Sequence, residues 1–142
     1  MMGKLPAVIG GLACMAAGFW LTGPANAAGD PSCKWAGASH YYRLSSRGPW
    51  PRYFSMRSGA TCSSRYRDFS SPGGRVVIRL HKLTLWTPPA HGAVTLHENA
   101  SADYSATKGY VGPDKFELEV CGEENGTSGC TLLEYNVTIN PG

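Results

Sequence analysis

The sequence predicts an exported, disulfide-stapled, all-β domain, and three observations carry that prediction. Apolar and polar residues alternate at period two: Phe116, Leu118 and Val120 against Lys115, Glu117 and Glu119, then Leu133, Tyr135, Val137 and Ile139 against Glu134, Asn136 and Thr138. This is the pattern of strands with one buried face. No apolar stripe at i, i+3, i+4 spacing occurs beyond residue 27, so helix is expected to be nearly absent. Four cysteines, Cys33, Cys62, Cys121 and Cys130, follow an N-terminal export signal, and an even count in a small exported domain reads as a disulfide framework.

The export signal is read over residues 1–27 of the 142-residue chain. Lys4 supplies the positive start, residues 7–21 are uncharged and largely apolar, and Ala25-Asn26-Ala27 has the small-x-small form of a cleavage site of bacterial type. A membrane anchor fits less well, because the run is short of the ~20 residues a spanning helix needs and ends in Gly-Pro. Cys14 follows Gly11-Leu12-Ala13, the wrong order for lipidation, and would leave with the signal. Residues 28–142 are then expected to form one domain with one modest core, periplasmic or extracellular and not membrane-spanning.

Within that domain, residues 28–38 read as a leader tied down by Cys33. Short strands are expected at 40–44, 52–57 and 61–67, separated by Ser/Gly/Pro turns, with a further turn at 68–74. The run 75–86 is the longest strand candidate. Val76, Ile78 and Leu80 share one parity and Leu83 and Leu85 the other, so a bulge is expected near His81-Lys82. Thr87-Pro88-Pro89 stops it, since proline cannot donate to a ladder. Strands are expected at 93–97 and 103–106, a glycine-proline corner at 108–114, and strands at 115–121 and 130–139 flanking an eight-residue loop, 122–129.

Parity pairs the cysteines. Cys121 falls on the side of Glu117 and Glu119, and Cys130 on the side of Glu134 and Asn136, so both occupy the outward face of one hairpin. Cys121–Cys130 is the predicted bridge, which leaves Cys33–Cys62. The spacings are not C-x-x-C, and no structural metal is expected.

The stretch from Thr87-Pro88-Pro89-Ala90-His91-Gly92-Ala93-Val94 through Tyr104 to Gly109-Tyr110-Val111-Gly112-Pro113-Asp114-Lys115-Phe116-Glu117-Leu118-Glu119-Val120 resembles the cadherin-like, bacterial immunoglobulin-like repeat. The likeness covers residues 75–140. It implies an antiparallel Ig-like β-sandwich of about seven strands serving adhesion or spacing. Two departures matter: one copy stands alone rather than in tandem, and the paired acidic calcium ligands are missing. Asp114 stands between Pro113 and Lys115, so it reads as a turn cap rather than a calcium ligand.

Charge is unevenly placed. Residues 28–82 carry eight Arg and two Lys against Asp30 and Asp68, a net +8, while residues 83–142 carry two Lys against two Asp and six Glu, a net −6. Within the basic half, Tyr41, Tyr42, Arg43, Arg47, Trp50, Arg52, Tyr53, Arg57, Arg65, Tyr66 and Arg67 crowd together. Arginine forks suit phosphate, sulfate or carboxylate, and aromatic faces stack on sugars. The competing reading makes half of these aromatics core and the arginines solubilising. An exported chain meets anionic glycans or envelope proteins before it meets nucleic acid, which is disfavoured as a partner.

Nothing local supports catalysis. His40, His81, His91 and His97 show no metal-ligand spacing, there is no G-x-S-x-G, and Glu117/Glu119 and Glu123/Glu124 are placed on an outward face and in a loop, exposed positions that do not favour acid catalysis. No cofactor is implied. Sequons at Asn99, Asn125 and Asn136 fit chance occurrence in a bacterial chain. The expected function is a non-enzymatic, exported Ig-like binding module. The alternatives are an envelope polyanion or glycan binder using the Arg/aromatic face, and a small exported enzyme or inhibitor.

Overall fold

The computed structural model describes residues 32–36 and 42–142. The expected export signal at residues 1–27, Cys14, His40 and Tyr41 lie outside the described residues. Nine strands and no helix occur among the described residues: β1 (Lys34–Ala36), β2 (Trp50–Arg57), β3 (Thr61–Arg65), β4 (Phe69–Ser70), β5 (Val77–Thr87), β6 (Gly92–His97), β7 (Ser101–Ala106), β8 (Gly112–Glu124) and β9 (Thr127–Asn140). They form a six-stranded sheet in the order β1-β2-β9-β8-β5-β4 and a three-stranded sheet β3-β7-β6.

Phe54, Met56, Ile78, Phe116, Leu118, Val120, Leu133, Tyr135, Val137 and Ile139 of the larger sheet share one buried core with Cys62, Ala102, Tyr104 and Ala106 of the smaller. Aromatic rings cross between the sheets: Tyr104 stacks on Phe116 with centroids 5.2 Å apart and meets Phe54 edge-on at 5.9 Å.

The alternating stretches became strands on the expected faces, and both expected disulfides form, Cys121–Cys130 as parity predicted and Cys33–Cys62 as the remaining pair. The bulge is also present. Leu80 pairs with Gly122 and Lys82 with Cys121, so His81 is the extra residue, and Leu83 and Leu85 turn inward beyond it. Gly122 is what lets the strands meet there, because a Cβ would stand 2.0 Å from the Arg79 carbonyl oxygen.

Four expectations change. One pairing is parallel rather than antiparallel: β2 runs beside β9 from Trp50↔Leu133 to Arg57↔Asn140. Nine strands replace about seven, the additions being the short edge pieces β1 and β4. No strand forms at residues 42–44; those residues instead bind a carboxylate described below. The eight-residue loop closes to two residues, with Glu124 still opposite Thr127. Asn125 and Gly126 have φ of 51° and 82°, the left-handed pair of a type I′ hairpin turn, whose twist matches the flanking strands. Asn125 also ties the turn sideways, accepting from the Val77 amide at 2.8 Å and donating to the Arg75 carbonyl at 3.1 Å.

Candidate functional site

Strand alternation divides the basic-aromatic stretch instead of leaving it as one patch. In β2, Trp50, Arg52, Phe54 and Met56 lie on the core side, and Pro51, Tyr53, Ser55 and Arg57 on the other. Phe54 and Met56 are fully in the core. The Trp50 indole donates to the Thr131 hydroxyl at 3.0 Å, which makes it a packing residue. Arg43 pairs with Glu124, and Arg47 and Arg57 are exposed, Arg57 at the end of β2 remote from Arg52. Of the candidates that are described, Tyr42, Arg52, Tyr53, Arg65, Tyr66 and Arg67 remain together, around one groove.

Arg52 is the unusual member. It sits in the inward row of β2, half-buried, opposite Tyr135 in the parallel ladder with β9. The groove it faces has a volume of about 570 Å³ and runs between the flank of the larger sheet and the chain leaving β3. Its walls are Trp35, Phe69 and Leu133 on the apolar side and Tyr42, Tyr66 and Tyr135 on the polar side. Ion pairs among the described residues join Arg43 to Glu124, His97 to Asp103 and Lys115 to Glu134, so Arg52 has no carboxylate partner there. A half-buried guanidinium without a counterion favours an anion that reaches it.

The phenols around it are held neutral. Burial pushes the Tyr42 hydroxyl up to about 12, with Arg52 pulling the other way. Burial likewise raises Tyr135 to about 12, against the opposing hydrogen bond from Tyr66 and the charge of Arg52. Tyr66 is raised well above the ordinary tyrosine value by burial and by Tyr135, and the two hydroxyls bond to each other. At the rim, Trp35 is 46 % exposed although it packs on Phe54 with centroids 4.8 Å apart. Tyr53 is 52 % exposed beside it. Asp68 lies at the other end, where its carboxylate accepts the Leu80 amide at 2.9 Å. Trp35, Tyr135 and Asp68 were not among the expected site residues; the parity of β9, which puts Tyr135 inward beside Leu133, was the available signal for one of them.

A second hollow, of about 650 Å³, lies between the outer face of β2, β9 and β8 and the β5–β6 turn. Its lysine, Lys115, is already paired with Glu134 at 2.8 Å, so it offers a ligand less than the Arg52 groove does.

The two buried carboxylates are structural ties. Asp114 was expected to cap its own corner; it lies within β8 and ties the turn before β6 instead, accepting the Ala90 and His91 amides at 3.0 Å each, the Lys115 amide at 2.9 Å and the Tyr104 hydroxyl at 2.7 Å. Burial alone would raise its pKa, but these bonds outweigh burial and hold the carboxyl below its ordinary range. Glu124 corrects the expectation of a solvated loop, being 6 % exposed. It accepts the Leu44 amide at 2.7 Å, the Ser45 amide at 3.1 Å and the Arg43 guanidinium, and again bonding overcomes burial to lower its pKa. The reason is the I′ turn, which extends the strands past Cys121 and turns Glu124 inward.

His91 stacks on Tyr110 with centroids 3.7 Å apart, His97 bonds Asp103 at 2.8 Å, and His81 is the exposed bulge residue. Glu119, Cys121 and Cys130 gather their ligating atoms within 4.8 Å, but both sulfurs are committed to the disulfide. No family model matches this sequence, and no curated protein matches it.

Proposed function

We propose that this protein is an exported, non-enzymatic binding module of immunoglobulin-like architecture whose ligand site is the groove at Arg52. The observation that carries the reading is a half-buried, inward-facing arginine without a carboxylate partner among the described residues, in an open groove walled by aromatic rings. The ligand it suits carries an anionic group and an apolar or ring-shaped body. An Ig-like sandwich is supported by the core shared between a β3-β7-β6 sheet and a larger one. Export is supported by the signal-like N-terminus and by two disulfides.

The polyanion reading loses support from the dispersal of Arg43, Arg47 and Arg57, and from the acid Asp68 at the groove itself. The test is a ¹⁵N–¹H NMR titration of the purified protein with a panel of small carboxylates, phosphates and sulfates. Shifts centred on Trp35, Arg52 and residues 63–68 are expected for at least one anion. A panel that leaves those amides unmoved, or moves another surface instead, overturns the groove as the site.

A further inference from the structure

We infer that the ligand of the Arg52 groove is a uronic-acid unit of a saccharide, its carboxylate forked on Arg52, its ring face on Trp35 and its hydroxyls on the polar wall. The inference rests on the reading of the groove as the ligand site and adds the chemical class. Four observations point the same way.

The groove holds charges of both signs. Arg52 lies within it, Arg65 and Arg67 stand exposed at the rim, and Asp68 lies at the end near Tyr42. A phosphate or sulfate cluster would place several negative charges near the Asp68 carboxylate. A uronate brings one negative charge and several hydroxyls, and a carboxylate is a strong acceptor for hydroxyl donors. The Arg52 guanidinium and a carboxylate group match as planar forks.

The polar wall suits hydroxyls rather than ions. Ser64 and Tyr42 line the groove beside Asp68, with the Ser64 side chain bonded to Tyr66. Serine and neutral phenol hydroxyls each donate and accept, as sugar hydroxyls do.

Trp35 supplies a platform. It is braced by Phe54 at 4.8 Å and edge-on by Tyr135 at 6.3 Å, yet it stays 46 % exposed. An exposed ring held in place from beneath offers the flat apolar surface on which the C–H face of a pyranose packs, at small cost in conformational entropy.

Size and openness fit as well. A groove of about 570 Å³ open along the flank holds one or two sugar rings and allows the chain to continue outward.

The experiment is the same NMR titration with defined probes: a digalacturonate, a glucuronate-terminated disaccharide, the neutral disaccharide of matching linkage, benzoate and inorganic phosphate. The expected result is groove shifts with at least one uronate, affinity for its neutral counterpart lower by at least tenfold, and a loss of at least tenfold in Arg52→Gln. Arg52→Lys, which keeps the charge without the fork, should fall between the two. Trp35→Ala lies at an exposed position and serves if the Arg52 variants do not fold; it should weaken uronate binding at least fivefold. Groove shifts with benzoate or phosphate but with neither uronate would overturn the sugar-acid class and leave the groove as the site. Equal binding of neutral and acidic disaccharides, or unchanged affinity in the variants, would also overturn it. No groove shift with any probe would overturn both readings.

Discussion

Replacing Asp114 by Asn tests the central tie of the fold with almost no change of shape. Oδ1 accepts the Ala90 and Lys115 amides, and Oδ2 accepts the His91 amide and the Tyr104 hydroxyl. An amide nitrogen at the Oδ1 position would face two N–H donors. At the Oδ2 position it could donate to a reoriented Tyr104 hydroxyl, but the His91 amide would lose its acceptor. The lower-cost rotamer therefore orphans one donor, at about 1–3 kcal/mol. It also turns the remaining charge-assisted bonds into neutral ones of roughly half the strength. Together these give a loss of about 3 kcal/mol, which for a domain of this size lowers Tm by about 15 °C. The pH dependence gives a second readout. The Asp114 pKa is depressed in the folded state, so its contribution is complete above the unfolded value of about 3.9 and is lost as the pH falls through the lower folded value. Urea unfolding of the native protein and Asp114→Asn at pH 7 and at stepped lower pH measures both. The gap should narrow below about pH 4. A gap under 1 kcal/mol at pH 7, or one that stays constant into acid, would refute the account of Asp114 as a charged hub.

Glu124→Ala should cost about 3 kcal/mol by thermal unfolding, because the buried Leu44 amide is left without its acceptor and the chain at residues 43–45 loses its tie to the hairpin. Gly122→Ala should cost about 3 kcal/mol or more, since its Cβ would meet backbone rather than a side chain that can move; a stable, unshifted variant would contradict the bulge. In alkaline titration followed by tyrosinate absorbance, Tyr42 and Tyr135 should ionise near pH 12. Because these folded values are raised, the stability they carry is complete below about pH 10 and is lost as the pH rises through 12. A full tyrosine signal at pH 10.5 in folded protein would refute the buried phenols. Mild dithiothreitol should open Cys121–Cys130, where Cys130 is exposed, before Cys33–Cys62, where Cys62 is buried. The first step should cost about 2.5 kcal/mol for a bridge spanning 9 residues, and mass mapping that finds Cys62 alkylated first would refute the order.

Much of the scaffold was legible because period-two alternation decides which face is buried, and a face decides a cysteine's partner. Cys121–Cys130 and the His81 bulge both follow from counting parity. The signal that was passed over lay in Asn125-Gly126. That dipeptide specifies a two-residue I′ turn, and reading residues 122–129 as a loop hid Glu124's burial. The parallel seat of β2 was not legible, because a strand's own alternation says which side it buries and nothing about which strand lies beside it. The candidate site divides the same way. Composition brought Arg52 to notice as one of many basic residues, and only its parity within β2 distinguishes it from Arg57. Its lack of an ion-pair partner among the described residues and its nearness to Tyr66 and Tyr135 depend on how two sheets curve together, which no local pattern encodes.

The parallel ladder between β2 and β9 also sets an order of events in folding. Residues 50–57 acquire their eight-residue partner only when residues 127–140 arrive. Until then β2 has the three residues of β1 to pair with, and the inward row holding Phe54 and Met56 lacks the neighbours Val137 and Ile139. The larger sheet therefore cannot close progressively from its N-terminal side; it closes late, through contacts of long sequence separation, and slowly. A chain with that property keeps the flank of β2 open for as long as its last strand is withheld.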